Sequence, residues 1–560
     1  MKWIFSPPVE PTLVQTLRQE LRLPAFVASH LVRLGIHDPQ VASHFLQPRL
    51  KTLSDPFLLP GMERAITRIL EALDRRERIA LYGDYDVDGV TSLALFTQLL
   101  QAAGADPKPF LPLRMDEGYG LTPDGVKRCL ETHRPQLLIT VDCGTSAVAE
   151  IAALQKEGVD VLVFDHHEAA AEFPPCVALV NPKLGDDFHY LCSAGVVFKA
   201  CHALLKRRPI PGFDLREHLD LVALGTIADI VPLTGENRIL VHHGLKQMAE
   251  SNSIGLQALL DITGVKEPIS PSDVGYRLGP RLNAAGRLGT AEAALDLLLT
   301  TDPNRARMLA GMLDQQNRER QGVENHTLLA AEKQIVETFD ATRDAAIVVS
   351  ELGWHPGVIG IVASRLMRRH HRPVFVIAFD DDGTGKGSGR SISGFSLVEA
   401  LTECAPHLER YGGHEMAAGL TIHRRNYEMF RTAFLQTSLT RLTTDDLVPR
   451  LHLDGEVELE ELDHLFLDRH EMLQPFGVGN AQPMLCLRGV SPPGEPRVLK
   501  EKHLLLTLRQ GRHEKRAIYF NARVDELPRP PWDIACRVEP NTFNGRTELQ
   551  IQVQAIRPAE

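Results

Sequence analysis

No Cys-x-x-Cys pair occurs anywhere in the 560 residues. The eight cysteines, Cys129, Cys143, Cys176, Cys192, Cys201, Cys404, Cys486 and Cys536, are scattered. That scatter argues against a disulfide framework or a zinc site and fits free thiols in a reducing compartment. No apolar run approaches the ~20 residues that a membrane-spanning helix requires, and the opening MKWIFSPPVEP lacks the apolar core of a signal peptide. The expectation is a cytoplasmic protein with no membrane role. Internal repeats and low-complexity tracts are missing as well. Nor is there an excess of positive charge: 61 Lys and Arg against 72 Asp and Glu leave a net charge of -11. Contact with nucleic acid therefore falls to local clusters or bound cations.

What is present is an alternation. From residue 79, short apolar runs in RIALYGD, QLLITVDCGTS and VDVLVFDHHE are separated by the helical stretches TSLALFTQLLQAAGA and AVAEIAALQKEG. Continuous apolar runs of strand length between helices predict a parallel sheet covered on both faces. Ligands of such sheets sit at the carboxyl ends of the strands. Asp84 to Asp88, Asp142, and Asp165 to His167 each follow one. Residues 302–339 read as a connecting helix, about 55 Å long if continuous at ~1.5 Å per residue, with Gly311 and Gly322 as places where it could break. A second α/β pattern follows in AAIVVSELGWHPGVIGIVASRL and RPVFVIAF, then the glycine-rich DDGTGKGSGRS and YGGHEMAAGL. Toward the end, HLLLTLRQGRHEKRAIYF reads as a hairpin within an all-β region.

The run GDYDVDGVTS sets Asp84, Asp86 and Asp88 at every second position. It begins like an EF-hand calcium loop, but the twelfth position is Leu95 instead of a bidentate Glu, and the run follows a strand rather than a helix. Three carboxylates pointing one way on extended chain repel each other unless cations neutralise them. VDCGTS adds Asp142, FDHHE adds Asp165, His166 and His167, and ALGTIADIVPL adds Asp229 inside an apolar stretch. Taken singly, such residues are ordinary caps or surface groups. Carboxylates with imidazole and no thiolate suit Mn2+ or Mg2+ better than structural zinc. Two such ions, ~3.5–4 Å apart, activate water and clamp the oxygens of an in-line phosphoryl displacement.

In this order GDYDVDGVTS, VDCGTS, DHHE and ADIVPL resemble the DHH phosphoesterase superfamily. GPRLNAAGRLG, WHPGVIGIVASRL, GSGRS and YGGHEMAAGL extend the resemblance, across residues 50–490, to the RecJ family of bacterial single-strand-specific exonucleases. The implied fold is α/β: a parallel-sheet DHH domain and a second, DHHA1-type α/β domain joined by a long helix, with a C-terminal β-barrel OB-fold domain. The expected divisions are an N-terminal helical extension (1–49), the catalytic domain (50–245), connecting helices (246–340), the DHHA1 domain (341–445) and the OB-fold domain with its linker (446–560). The implied activity is two-metal hydrolysis of single-stranded DNA from its 5′ end to mononucleotides, in repair and recombination. A helicase and a single-strand-binding protein are the implied partners. Other DHH hydrolases, acting on oligoribonucleotides or cyclic dinucleotides, and non-catalytic RecJ-like scaffolds are the alternatives.

By the same resemblance Asp84, Asp86, Asp88, Asp142, His166 and Asp229 are metal ligands, with Asp142 bridging, and His167 faces the scissile phosphate. Asp165 orients a ring nitrogen or caps the turn, and Tyr82 stands where many superfamily relatives have histidine. The family also implies a 5′-phosphate pocket, for which Arg114, Tyr119, Ser388 and Arg390 are available. A guanidinium binds phosphate bidentately, and the glycines of GTGKGSGRS would let backbone amides approach it. Arg281, Asn283 and Arg287 are candidates for backbone phosphates, and His414 for a group reaching the site from the second domain. Residues 491–560 hold 12 Lys/Arg against 9 Asp/Glu, with Tyr519, Phe520, Trp532 and Phe543 interspersed, which suits a base-stacking OB surface. A channel between the two α/β domains that admits one strand but no duplex would explain the strand specificity.

Overall fold

The computed structural model describes residues 1–113, 117–169, 171–288, 291–543 and 546–559. The apolar runs near the start form a five-stranded parallel sheet in the order Lys108–Phe110, Ile79–Gly83, Leu137–Val141, Asp160–Phe164, Ala178–Val180. Every residue of Ile79–Gly83 and Leu137–Val141 is buried, as continuous apolar strands between two helical layers must be. Numbered along the chain, the order is 2-1-3-4-5, so the direction of winding reverses between Ile79–Gly83 and Leu137–Val141. That reversal opens a crevice at the carboxyl ends of these two strands. The helix Val87–Ala102 begins there and is buried nearly all round.

Pro303–Thr338 is a single helix of 36 residues, unbroken at Gly311 and Gly322. It leads to a mixed five-stranded sheet ordered Arg410–Gly413, Ala417–His423, Thr384–Arg390, Val374–Phe379, Ile347–Leu352. Here one expectation fails. The glycine-rich TGKGSGR is a regular strand and not a phosphate-cradling loop: its residues pair with both neighbouring strands. A Cβ at Gly385 would lie 2.5 Å from the Phe379 ring, and one at Gly389 2.5 Å from that of Phe375. The glycines make room for aromatic core, and their amides are not available to a ligand as a nest.

The C-terminal sheet has seven strands, and a bridge between Ser491 and Arg509 links its Leu485–Val490 strand to His503–Gln510. The hairpin read from the sequence is His503–Gln510 against His513–Phe520, turning at Gly511 with φ of +58°. Trp532 is buried and donates its Nε1–H to Pro528 O, so it belongs to the core and offers no base-stacking surface. Phe520 is exposed, and the Phe543 side chain lies outside the described residues. Helices Pro11–Leu21, Ala25–Arg33 and Pro39–Leu46 bury Leu17, Val27, Leu31 and Leu46 together with Leu473, while strand Lys2–Phe5 pairs in parallel with Arg450–Leu453. The N-terminal extension is thus fastened to the approach to the barrel. All eight cysteines are unpaired. No helix among the described residues is long and apolar enough to cross a membrane.

Candidate metal centre

Each carboxylate is presented by the end of an element. Asp86 caps the helix Val87–Ala102, its Oδ1 accepting the Gly89 N–H at 3.1 Å. Gly89 has no alternative, since a Cβ there would sit 2.3 Å from Asp84 O. Asp88, the second residue of that helix, accepts the Ser193 N–H (2.7 Å) and the Ala194 N–H (2.8 Å), which open the helix Ser193–Arg207. Gly225 leaves space for it, because a Cβ would lie 2.9 Å from Asp88 Oδ1. Asp142 follows its strand in the left-handed region, φ +62°, a strained conformation that tends to persist at functional sites. Its Oδ1 accepts the Ser193 hydroxyl at 3.0 Å. Asp229 ends the helix Leu219–Ala228.

These side chains meet in three overlapping groups whose ligand atoms lie within 4.8 Å of one another: Asp84, Asp86 and Asp142; Asp88, His166 and Asp229; and Asp142, His166 and His167. His166 Nε2 is 3.3 Å from Asp142 Oδ1, 3.5 Å from Asp229 Oδ2 and 3.8 Å from Asp88 Oδ2. Burial and the neighbouring His167 hold His166 down near 4, so the ring is neutral and cannot balance these carboxylates. The crowding raises their affinity for protons. Burial, then the Asp86 charge, lifts Asp88 to about 6, and burial with Asp88 and Asp86 lifts Asp229 to about 8. Asp142 is pushed well up by burial and by Asp88, Asp86 and Asp84. His166 Nε2 and Asp229 Oδ2 are buried without a hydrogen-bond partner among the described residues. Oxygen ligands with one imidazole, excess negative charge and unsatisfied buried donor atoms fit Mn2+ or Mg2+.

Asp165 stands behind this set. Its Oδ1 lies 2.7 Å from His167 Nδ1, and its Oδ2 accepts the Thr145 N–H at 3.0 Å. Burial works against its charge, but the bonds from His167 and Thr145 win and hold its carboxyl well below the usual range. His167 is raised in turn, Asp165 outweighing the desolvation that opposes it. The Tyr119 hydroxyl lies 2.7 Å from His167 Nε2, which puts Tyr119 directly beside the metal ligands. Tyr82 is buried and donates to Gly120 O, so it takes no part. Two groups went unnoticed in the sequence. Ser193 carries no signal of its role. Asn181 holds Thr145 and the His167 carbonyl through its Nδ2 and directly follows the strand Ala178–Val180, so the strand-end rule could have found it.

The phosphate candidates divide. Arg114 lies outside the described residues. Ser388 and Arg390 share one face of the strand Thr384–Arg390 with Lys386, opposite the glycines. The Arg390 guanidinium donates to Ser388 Oγ and Gly389 O, and forms no ion pair with a described carboxylate. Asn283 Oδ1 accepts the Val87 N–H at 3.2 Å, bracing the helix of Asp86 and Asp88. Arg287 donates to Gly357 O and so joins the two α/β domains. Arg281 is matched by the buried Asp314 of the long helix at 2.9 Å. His414 is exposed and lies near Glu168, the residue after the two histidines, whose carboxyl is lowered by its hydrogen bond from Lys183.

Three family models match this chain: the DHH family, N-terminal domain, over residues 78–226; the DHHA1 domain over 344–438; and the RecJ OB domain over 453–555. The chain is 36% identical to the single-stranded-DNA-specific exonuclease RecJ of Bacillus subtilis (strain 168), over 99% of its own length and 70% of that protein's. RecJ from Thermus thermophilus in complex with Mn2+ superposes with a TM-score of 0.86 at 33% identity, over 100% of this chain and 80% of that one. The complex of the same protein with Mg2+ gives 0.79 at 31% identity, over 100% and 79%. Similar along its whole length and through all three domains, the chain belongs to the RecJ family of single-stranded-DNA-specific exonucleases.

Proposed function

We propose that this exonuclease degrades single-stranded DNA from the 5′ end, one mononucleotide at a time, in DNA repair and recombination. The observation that carries the reading is the meeting of Asp84, Asp86 and Asp142 with Asp88, His166 and Asp229 at the crevice of the parallel sheet. Mn2+ or Mg2+ held there supplies Lewis-acid polarisation of the scissile phosphate and a water acidic enough to attack near neutral pH. Asp142 groups with Asp84 and Asp86 and also with His166, so it would serve both ions, and Ser193 keeps its carboxylate turned inward. His167, positioned by Asp165 at Nδ1 and by the Tyr119 hydroxyl at Nε2, would face a non-bridging phosphate oxygen and donate a hydrogen bond to it as charge builds there.

Water adds to phosphorus, the bond from phosphorus to the 3′ oxygen breaks, and the departing nucleotide takes a proton on that oxygen. The shortened strand keeps the phosphate on its new 5′ end, so each product presents the feature that begins the next cycle. Ser388 and Arg390, with the Arg390 charge unpaired by any described carboxylate, hold this terminal phosphate. Tyr119, whose hydroxyl lies against His167, is the further candidate for this pocket. The second domain joins the catalytic one through Arg287 and Gly357, and one strand passes between them. A cytoplasmic location fits the eight free thiols, and a helicase and a single-strand-binding protein are the partners that would expose and protect such a substrate.

Strands labelled at one end or the other, incubated with Mn2+, Mg2+ or chelator, test this. A 5′ label should appear at once as mononucleotide, only with metal, and not from duplex. Internal cuts would overturn the reading, and faster turnover of dinucleotides than of long strands would favour the DHH hydrolases of short oligonucleotides.

A further inference from the structure

Asp229 lies in a short segment, Asp229–Thr234, between the helix Leu219–Ala228 and the helix Gly235–Ala249. The next residue, Ile230, is 70% exposed and has φ of +62°. A β-branched side chain in the left-handed region persists only where its surroundings over-determine the backbone. Two clamps do so. From its own domain, Asn237 Nδ2 donates to Pro232 O at 3.0 Å. From the C-terminal region, the turn Met472–Asn480 closes on the same residues. Leu233 donates its N–H to Val478 O at 2.7 Å, and the buried Leu233 side chain fills the place a Cβ of Gly477 would take, 2.7 Å away. Gly479, with φ of +73°, lies so close that a Cβ would be 3.0 Å from Thr234 Cγ2 and 3.2 Å from Pro232 Cβ.

The turn is itself braced. Buried Asn480 donates to Leu473 O and Pro475 O, and Gly477 and Asn480 exchange backbone hydrogen bonds. Arg238, 2% exposed and without an ion-pair partner among the described residues, directs its guanidinium to carbonyls: Leu473 O at 2.8 Å, Met472 O at 3.0 Å and, from the N-terminal extension, Phe45 O at 3.0 Å. Its guanidinium carbon lies 3.8 Å from the centre of the Phe45 ring. A buried cation bound to three carbonyls of two distant segments is costly to disturb, and it begins only nine residues after Asp229.

We propose that the turn Met472–Asn480, locked by Arg238, is a positioning element of the catalytic site, which fixes Asp229–Thr234 and so aims the Asp229 carboxylate at the second ion. The proposal rests on Asp229 being a ligand of that ion. The C-terminal region is then part of the metal site as well as a surface for DNA, and the N-terminal extension, joined through Phe45, shares that task.

The test uses the full chain and Mn2+ alone. Calorimetric titration and the electron paramagnetic resonance signature of a coupled ion pair are recorded for wild type, Arg238→Met and Gly477→Ala. Arg238→Met keeps the aliphatic packing and loses the three hydrogen bonds; Gly477→Ala keeps every hydrogen bond and pushes on Leu233, so it carries the test should Arg238→Met fail to fold. The expected result is one ion bound as in wild type and the other weakened about tenfold or more, the range for lost outer support of a ligand, with the coupled signal diminished and kcat falling more than KM rises. Folded variants that bind both ions with wild-type affinity overturn the proposal alone. A wild type that binds a single ion overturns the assignment of Asp229 and the proposal with it.

Discussion

The sheet that ends at Asp84, Asp142 and Asp165 and the sheet that carries Ser388 and Arg390 are both five-stranded, yet they gather opposite charge by opposite means. In the first, all strands are parallel, the functional groups lie just beyond the strand ends, and four distant segments supply them. Winding reversal makes that convergence possible, because only there do consecutive loops diverge and leave a crevice. In the second, mixed sheet, Lys386, Ser388 and Arg390 come from one strand, spaced by two residues, and neighbouring glycines turn the opposite face into a bed for Phe375 and Phe379. The first arrangement crowds carboxylates beside a neutral imidazole; the second leaves the Arg390 guanidinium without an ion pair to a described carboxylate. In the proposed reading, the acidic group meets the scissile bond through cations and Arg390 meets the terminal phosphate.

Breaking the acidic side should have the largest effect. Asp142→Asn keeps the shape, and asparagine tolerates the left-handed backbone, so folding and binding of single-stranded DNA should persist. Hydrolysis should fall below ~1% of wild type, a change worth about 2.7 kcal/mol in the barrier. Single-turnover assays beside a binding isotherm measure both, and substantial hydrolysis would remove Asp142 from the bridging role. On the basic side, Arg390→Gln should cut the preference for a 5′-phosphorylated strand over a 5′-hydroxyl strand about tenfold or more, as the loss of one charge-assisted hydrogen bond predicts. If the ratio of kcat/KM values is unchanged, the two sheets do not divide the labour in this way.

Protons sharpen the contrast further. Asp88 near 6, Asp229 near 8 and a raised Asp142 mean that the metal-free folded protein keeps protons which the unfolded chain, titrating near its ordinary carboxylate value, has released. The contribution of these three carboxylates to stability without metal therefore falls as pH rises from about 4 to about 8, opposed below about 6.5 by His166 and the other buried histidines held near 4, which must lose their protons to fold. Melting in chelator at about pH 7 and about pH 8.5, above the range in which histidines of the unfolded chain titrate, should show the decrease, and saturating Mn2+ should abolish it. A melting temperature that rises with pH in chelator over this interval would contradict the crowding of these groups. The smallest effect belongs to the helix between the two sheets. A Cβ at Gly322 meets nothing within 4 Å, so Gly322→Ala should stabilise by ~0.5–1 kcal/mol in a denaturation midpoint without altering activity.

Much of the acidic site was legible because each part of it is local. An apolar run of strand length followed at once by Asp or His marks a strand end, and Asp84, Asp86, Asp142, Asp165 and His166 all read this way. The hairpin at Gly511 and the long helix are equally local, written in turn chemistry and in the spacing of helix formers. The basic side was harder to read. Glycine repeated at every second position can mean a flexible loop or a strand pressed against large side chains, and TGKGSGR proved to be the latter only because Phe375 and Phe379 lie across from it.

Periodicity and turn residues act over a few neighbours, and that range set the parallel sheet, the carboxyl-end site and the order of the domains. Folding in three dimensions decided what depends on contacts between distant segments. Asp88 is held by amides 105 and 106 residues away, the Arg281 charge is matched by Asp314, and the Asp229 segment is clamped by a turn that follows it by some 240 residues. Backbone N–H and C=O groups are the same at every position, so a bond to one of them leaves no mark in the order of side chains. Such partners become visible only when the chain has closed.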